Sequence, residues 1–483
     1  MKKIYLILLL AGLIRIIDIT APIIGWHSWR QSDTASIARN FYENGHNLLY
    51  PQINWGGNGS GYVESEFQIY PFIVSVLYSA FGFHDIIGRL LSVLFSLLTV
   101  YGVYLLVKKM IDENTAFWSA LIYAILPLNI FYGRAFMPDA AMLMCSVYGV
   151  YFFSEWLDRS NVKYFLASWL FITLAVLFKL PTLYIGLPLF YLAFQKYRGS
   201  LFKNIYLYIL AAIILIPVIL WYYHAHQLFL NGGSSFGIWT YGQDKWGMFS
   251  LLIDPAWYND IFFKSIAERH LTYPGFILLI AGLFIKRTFE RERLFDVWLI
   301  AVLLFIFVAA QAHRAQEYYT LPFTIPATVF IGKFLGKYLP MENFKTAFRN
   351  YRFKSYLALI CVILICVLSY LRIARFYNGE DPDSPVLKIG REMQNVSTPQ
   401  DKIITIGDGN PVYLYQAHRF GWTAMPQQLD SLFIEARVKE GAKFIAGEKV
   451  IFERNNSAEK LSFLMKNYRV IKNEPEYIIV GLE

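Results

Sequence analysis

The chain has 483 residues, 56% of them hydrophobic and only 16% charged, with a formal net charge of +9. Soluble globular domains carry about 25% charged residues, and apolar runs of the roughly 17–25 residues a bilayer requires recur through most of this length. The composition is that of an α-helical polytopic membrane protein. Its basic surplus does not call for a nucleic-acid partner, because Lys and Arg at cytoplasmic loops give the same excess. The three cysteines, Cys145, Cys361 and Cys366, sit in apolar runs without metal-site or disulfide spacing.

The first apolar run follows Lys2 and Lys3 as in a signal peptide, but it has no clear small-residue cleavage site and reads as a retained first helix. Further basic clusters lie at Lys108–Lys109, Arg159–Lys163, Lys196–Lys203, Lys286–Arg293 and Lys333–Lys354. With these on the cytoplasmic side, about eleven spans are expected, at 4–25, 86–107, 115–132, 140–157, 164–179, 181–195, 204–222, 273–285, 294–311, 318–335 and 355–371. The segment 67–83 (FQIYPFIVSVLYSAFGF) is nearly long enough to cross. A crossing there would put later basic clusters outside, so it is expected to lie on the outer surface as an interfacial helix. The polar segments 26–66, 133–139, 223–272 and 312–318 then gather on the outer face, with Lys179 at the same level.

The tail changes character after the linker Asp381-Pro-Asp-Ser-Pro385. Residues 401–407, 442–447 and 476–482 read as strands, and 427–441 and 457–467 as helices. The expected division is a membrane domain over 1–371 and a small external α/β domain over 372–483. Gly407-Asp-Gly-Asn410 follows a strand, but no G-x-G-x-x-G is present, so a lid or packing role is preferred to a nucleotide site.

Ionisable groups at the edge of a membrane are costly and tend to be functional. Asp33, in WHSWRQSDTASIARNFYENG (26–45), has Arg30 beside it to hold it ionised, and 32–43 reads as a short interfacial helix. Equally, Asp33 reads as the N-cap of that helix. Glu64 and Glu66, in GYVESEFQIYP, read as hydrogen-bonding partners of a hydroxylated substrate or as first-turn acids of the next helix. Arg134 and Asp139 bracket a tight turn in FYGRAFMPDAA, where a functional pair and a turn-closing pair are both open. Lys179, Arg269, His270, His313, Arg314, Tyr318 and Tyr319 stand at the outer ends of several spans. Taken singly they read as snorkelling anchors; together they suit an anionic lipid head group.

Five short motifs, WRQSDTASIARNF, ESEFQIYPF, RAFMPDAA, FKLPTLYIGLP and EYYTLP, give the membrane part a resemblance to the GT-C membrane glycosyltransferases. Their glycosyltransferase family 39 group includes protein O-mannosyltransferases, the lipid A aminoarabinose transferase and the RgtA/B/C/D-like enzymes. The resemblance covers roughly residues 1–370. It implies a polyprenyl-phosphate sugar donor and transfer with inversion, on the periplasmic or extracellular face, to a glycan, lipid or protein acceptor. Asp33 matches the catalytic aspartate and becomes the general base. Glu66 and Asp139 match further acidic positions, and Arg30, Glu64 and Arg134 are taken as substrate contacts. Lys179, Arg269, His270, His313, Tyr318 and Tyr319 form the expected phosphate-binding set. No cofactor or metal is required, because phosphate is already a good leaving group, although a divalent cation remains compatible. Two departures stand out: Thr34 replaces the second carboxylate of many relatives, and Phe67 stands where the aminoarabinose enzyme has Lys. The expected location is a bacterial inner membrane. A transporter or flippase for a lipid-linked sugar, and a structural partner in an envelope-assembly complex, are the rival readings.

Overall fold

The structure, a computed structural model, describes residues 2–237, 249–342, 344–377 and 381–482. Residues 238–248 of the expected outer segment 223–272 lie outside that set. Two compact units divide the chain. One holds Met1–Ile19, Arg89–Tyr223 and Gly237–Arg375; the other holds Thr20–Gly88, His224–Phe236 and Phe376–Glu483. The second unit thus combines the tail with two segments that the sequence assigns to the membrane part.

Among the described residues four helices are long and apolar enough to cross a membrane: Asp85–Met110, Asp139–Arg159, Ile205–Leu230 and Arg352–Tyr377. The other seven expected spans coincide with helices of 12 to 17 residues, such as Lys2–Arg15, Glu113–Ile125, Thr272–Leu283 and Val162–Phe178. At 1.5 Å per residue such helices reach about 18–26 Å, short of the roughly 30 Å of a hydrocarbon core. The count of eleven full crossings is therefore not reproduced, and prolines account for part of the difference. Pro127 ends Glu113–Ile125 and starts Pro127–Tyr132, Pro181 opens a 3₁₀ turn over Leu180–Ile185, and Pro322 lies in a 3₁₀ turn over Glu317–Phe323.

Each break must re-satisfy the carbonyls it frees. At Pro127 the side chain of Asn129 donates to the Tyr123 carbonyl at 3.0 Å, and the buried Arg15 guanidinium donates to the carbonyls of Ala124 and Asn129 at 3.0 and 3.1 Å. In the same unit the helices Asp139–Arg159 and Val162–Phe178 form a hairpin. Asn161 caps the second of them by accepting from the Lys163 N–H. Glu113–Ile125 packs on Thr324–Tyr338 so closely that a Cβ at Gly332 would overlap the Ser119 hydroxyl.

In the second unit two short strands, β1 (Val63–Glu64) and β2 (Ser234–Ser235), pair in parallel. The tail forms a five-stranded sheet of β3 (Lys402–Ile406), β4 (Gly421–Ala424), β5 (Ala442–Glu448), β6 (Arg469–Asn473) and β7 (Tyr477–Gly481), in the order β4-β3-β5-β7-β6. β3 runs parallel to β4 and β5, while β7 is antiparallel to β5 and β6. The α/β expectation holds, with two strands, β4 and β6, that the sequence did not single out. β3 and β7 are buried on both faces, and Ile403, Ile404, Ile406, Ile478, Ile479 and Val480 belong to the core.

Candidate functional site

Asp33 belongs to the second unit, on the helix Ser28–Glu43. That helix starts after His27, whose backbone is left-handed (φ 54°) and whose side chain makes no capping bond. Asp33 is therefore in the second turn, and the capping reading falls. The interfacial expectation is also corrected: a helix lying on a surface buries one stripe, whereas here every residue from Gln31 to Phe41 is buried.

The Asp33 carboxyl is 2% exposed, and the indole N–H of Trp55 donates to its Oδ1 at 2.9 Å. Burial raises its pKa from 3.8 to about 7, against the lowering effects of the Trp55 bond, the Arg30 charge and the Trp29 indole. Arg30 pairs with Glu66 at 2.9 Å and lies 5.2 Å from the centre of the Phe236 ring. Glu66 precedes the N-cap Gln68 of helix Ile69–Phe81, and Glu64 is in β1, so neither is a first-turn acid. Glu64 is buried; its Oε1 accepts from His226 Nδ1 at 2.9 Å and its Oε2 from the Ser235 hydroxyl. With both oxygens taken, Glu64 fastens β1 to the 226–235 segment, which corrects its expected substrate contact.

The other predicted residues belong to the first unit. Asp139 opens the helix Asp139–Arg159, is fully buried, and accepts from Lys179 Nζ at 2.6 Å. Lys179 follows the helix Val162–Phe178 and is 6% exposed, so it does not snorkel to a surface. Its ammonium lies 4.4 Å from the Tyr318 ring centre and 5.2 Å from that of Tyr319, a cation–π arrangement. Near it a second group forms around Glu317, which accepts from the Tyr132 hydroxyl at 3.2 Å and from Arg269 at 3.4 Å. The Arg269 side chain is 42% exposed, which leaves it open to a ligand.

Three expectations fail in this unit. Arg134 does not face a substrate: it is 2% exposed and donates to the carbonyls of Ile17 and Asp18 at 2.5 and 2.9 Å, past the end of helix Lys2–Arg15. Its side chain thus satisfies backbone groups that a helix end leaves open. His270 and His313 are buried, bonded through Nδ1 to the Ser265 carbonyl and the Thr320 hydroxyl. Burial lowers both imidazole pKa values, that of His313 to about 3, so they are neutral and bring no charge to a phosphate. Sequence reasoning missed Trp55 and Glu317. Glu317 lies inside the EYYTLP motif, where an acid among His, Arg and Tyr at a membrane edge was the available signal.

Residues 68–224 match the family of dolichyl-phosphate-mannose-protein mannosyltransferases. No curated protein matches the chain in sequence. Among solved structures, ArnT from Cupriavidus metallidurans bound to undecaprenyl phosphate is similar over 99% of this chain and 97% of its own, with TM-score 0.63 and 13% identity. The Archaeoglobus fulgidus oligosaccharyltransferase in its apo form is similar over 97% of this chain and 73% of its own, with TM-score 0.62 and 13% identity. AglB from the same organism, in complex with an inhibitory peptide and a dolichol-phosphate, gives TM-score 0.60 at 12% identity, over 97% and 72% of the two chains. The chain has the GT-C fold that these solved structures share, and the family match is confined to residues 68–224.

Proposed function

We propose that the protein is an inverting glycosyltransferase that moves a sugar, a hexose or a pentose, from a polyprenyl phosphate to a hydroxyl of a glycan, lipid or protein acceptor. The reaction is assigned to the outer face of a bacterial cytoplasmic membrane, where the positive-inside pattern puts the polar segments. One observation carries the reading: a buried carboxyl, Asp33, held by neutral indole donors and poised near neutrality. A general base works best when its pKa lies near the working pH.

The two groups of residues take separate jobs. Asp33 removes the proton from the acceptor hydroxyl as that oxygen bonds to the sugar's anomeric carbon. The bond from that carbon to the phosphate oxygen breaks on the opposite face, and polyprenyl phosphate leaves with the electron pair. Lys179, Arg269 and Tyr319 hold the phosphate, and their charges and hydroxyl stabilise the leaving oxyanion. Asp139 acts through Lys179 as a positioning residue, since its carboxylate is buried against the ammonium. Glu66 orients Arg30 beside the base.

The test is to reconstitute wild type and Asp33→Asn in vesicles with undecaprenyl-phosphate hexoses and pentoses and a broad acceptor panel, reading transfer and undecaprenyl-phosphate binding separately. Loss of the base is expected to slow transfer about 10²–10⁴-fold with binding retained. Unchanged transfer in Asp33→Asn would remove Asp33 from the role. Donor crossing between leaflets with no transfer by wild type would replace the enzyme by a flippase.

A further inference from the structure

Residues 53–61, between Asp33 and β1 in sequence, carry no charge, yet they are held by an unusual number of bonds to the C-terminal sheet of the same unit. The Asn54 carbonyl accepts from the Gly421 N–H at 3.0 Å, and the Gly57 N–H donates to the Gly421 carbonyl at 2.9 Å. Gly421, the first residue of β4, thus gives both its N–H and its carbonyl to this loop. The Asn54 side chain, 1% exposed, donates to the Arg419 carbonyl at 3.1 Å and accepts from Asn40 on the Asp33 helix at 3.1 Å. Asn58 accepts from Lys402 at the start of β3. Gly57 has φ +61°, and a Cβ there would overlap the indole of Trp422 in β4. The loop therefore lies flat on the sheet edge.

Trp55 sits in the middle of this tie. Its ring packs against both the core of the C-terminal sheet and the small cluster of Ile37, Phe41, Ile53 and Val63 around the Asp33 helix. Its indole N–H is the donor to Asp33. The same helix meets the C-terminal fold again through Arg39, which donates to the Tyr415 carbonyl at 3.1 Å, and through Ser28, which accepts from Asn410 at 3.0 Å.

From this geometry we infer that the C-terminal α/β fold is the positioning frame of Asp33: the β4 edge fixes residues 54–57, and so holds the Trp55 indole on the carboxyl that does the chemistry. Trp55 is a positioning residue. The inference rests on the general-base reading for its functional meaning, but the frame itself does not need it. The groups turned to Asp33 are few: Arg30 on its own helix, Glu66 behind Arg30 on the segment after β1, and the neutral indoles of Trp29 and Trp55. His226, on the 224–236 segment, is turned to Glu64.

The experiment uses the full chain in nanodiscs with ¹⁵N-labelled tryptophan. Of twelve tryptophans, Trp55 is identified by the indole signal lost in Trp55→Phe. Its resonance is expected to titrate with a midpoint near pH 7, set by the carboxyl it touches, and to stop titrating in Asp33→Asn. A hydrogen bond to a charged group favours that charge, so Trp55→Phe is expected to move the acid limb of the pH–rate profile up by roughly one pH unit. Transfer near pH 6 would then fall roughly tenfold, with little change at high pH. Gly57→Ala, which breaks the tie at a distance from Asp33, is expected to shift the limb in the same direction and to move the Trp422 indole signal. An indole that does not titrate in wild type overturns the inference, even if Asp33→Asn abolishes transfer. A limb unmoved in Gly57→Ala while the Trp422 signal moves overturns it too. A titrating indole with transfer intact in Asp33→Asn keeps the frame and removes the general-base reading instead.

Discussion

Two buried aspartates in this molecule are built in opposite ways. Asp139 meets an ammonium, Lys179, at 2.6 Å, with two tyrosine rings behind it. Asp33 meets a neutral indole at 2.9 Å, while its nearest cation, Arg30, is drawn to Glu66. A buried ion pair is costly to break by removing one partner, which makes it a fixed part of the structure. A buried carboxyl with only neutral indole donors keeps its proton up to about pH 7 and can exchange it near neutrality. On the reading proposed above, the pairing partner, more than the residue type or its depth, separates an anchor from a base.

The largest effect that would break this comparison is at Lys179. Lys179→Met strands the Asp139 carboxylate and is expected to cost about 3–5 kcal/mol of stability, measured by thermal unfolding in detergent, as well as undecaprenyl-phosphate binding. Lys179→Met with Asp139→Leu is expected to regain most of the stability and none of the binding. Stability that stays low in the double variant would show that the pair does more than neutralise itself.

Asp33 predicts the reverse sign. The folded carboxyl binds its proton more tightly than the unfolded one, whose pKa is near 3.8. Stability from that proton is complete below about pH 4 and is lost as pH rises through about 7. Asp33→Asn, which cannot ionise, should match wild type in acid and exceed it above pH 7, by on the order of 1–4 kcal/mol. Melting curves at both pH values check this, and a variant less stable than wild type at pH 8 would contradict it.

Smaller changes sharpen the same contrast between groups that hold structure and groups that work. Arg134→Met frees two backbone carbonyls and is expected to cost about 1–3 kcal/mol with donor affinity per folded molecule unchanged. Glu66→Gln removes a partly exposed ion pair and is expected to change stability by less than about 1 kcal/mol.

Much of this was legible in the sequence. Hydropathy located helices at every expected span, and alternation located β3, β5 and β7. It did not reveal how short several spans are. Pro127, Pro181 and Pro322 were visible, but a hydropathy window averages across a break that the backbone cannot ignore. Asp33 was legible because an acid beside Arg30 in an apolar chain is costly. Trp55 was not, since nothing periodic links it to a carboxyl 22 residues away. The tie from Asn54 to Arg419 spans 365 residues and leaves no local mark. Arg134, Glu64 and the two histidines shared the residue types of a binding site, and only their hydrogen-bond partners showed that they hold the fold.

The most direct measurement is the pH dependence of kcat/KM for wild type and Asp33→Asn, from about pH 5 to 9, with an undecaprenyl-phosphate sugar as donor. A base with its pKa near 7 predicts an ascending limb with its midpoint there, rising about tenfold per pH unit below it and absent from Asp33→Asn. A flat wild-type profile, or the same limb surviving in Asp33→Asn, would contradict the account.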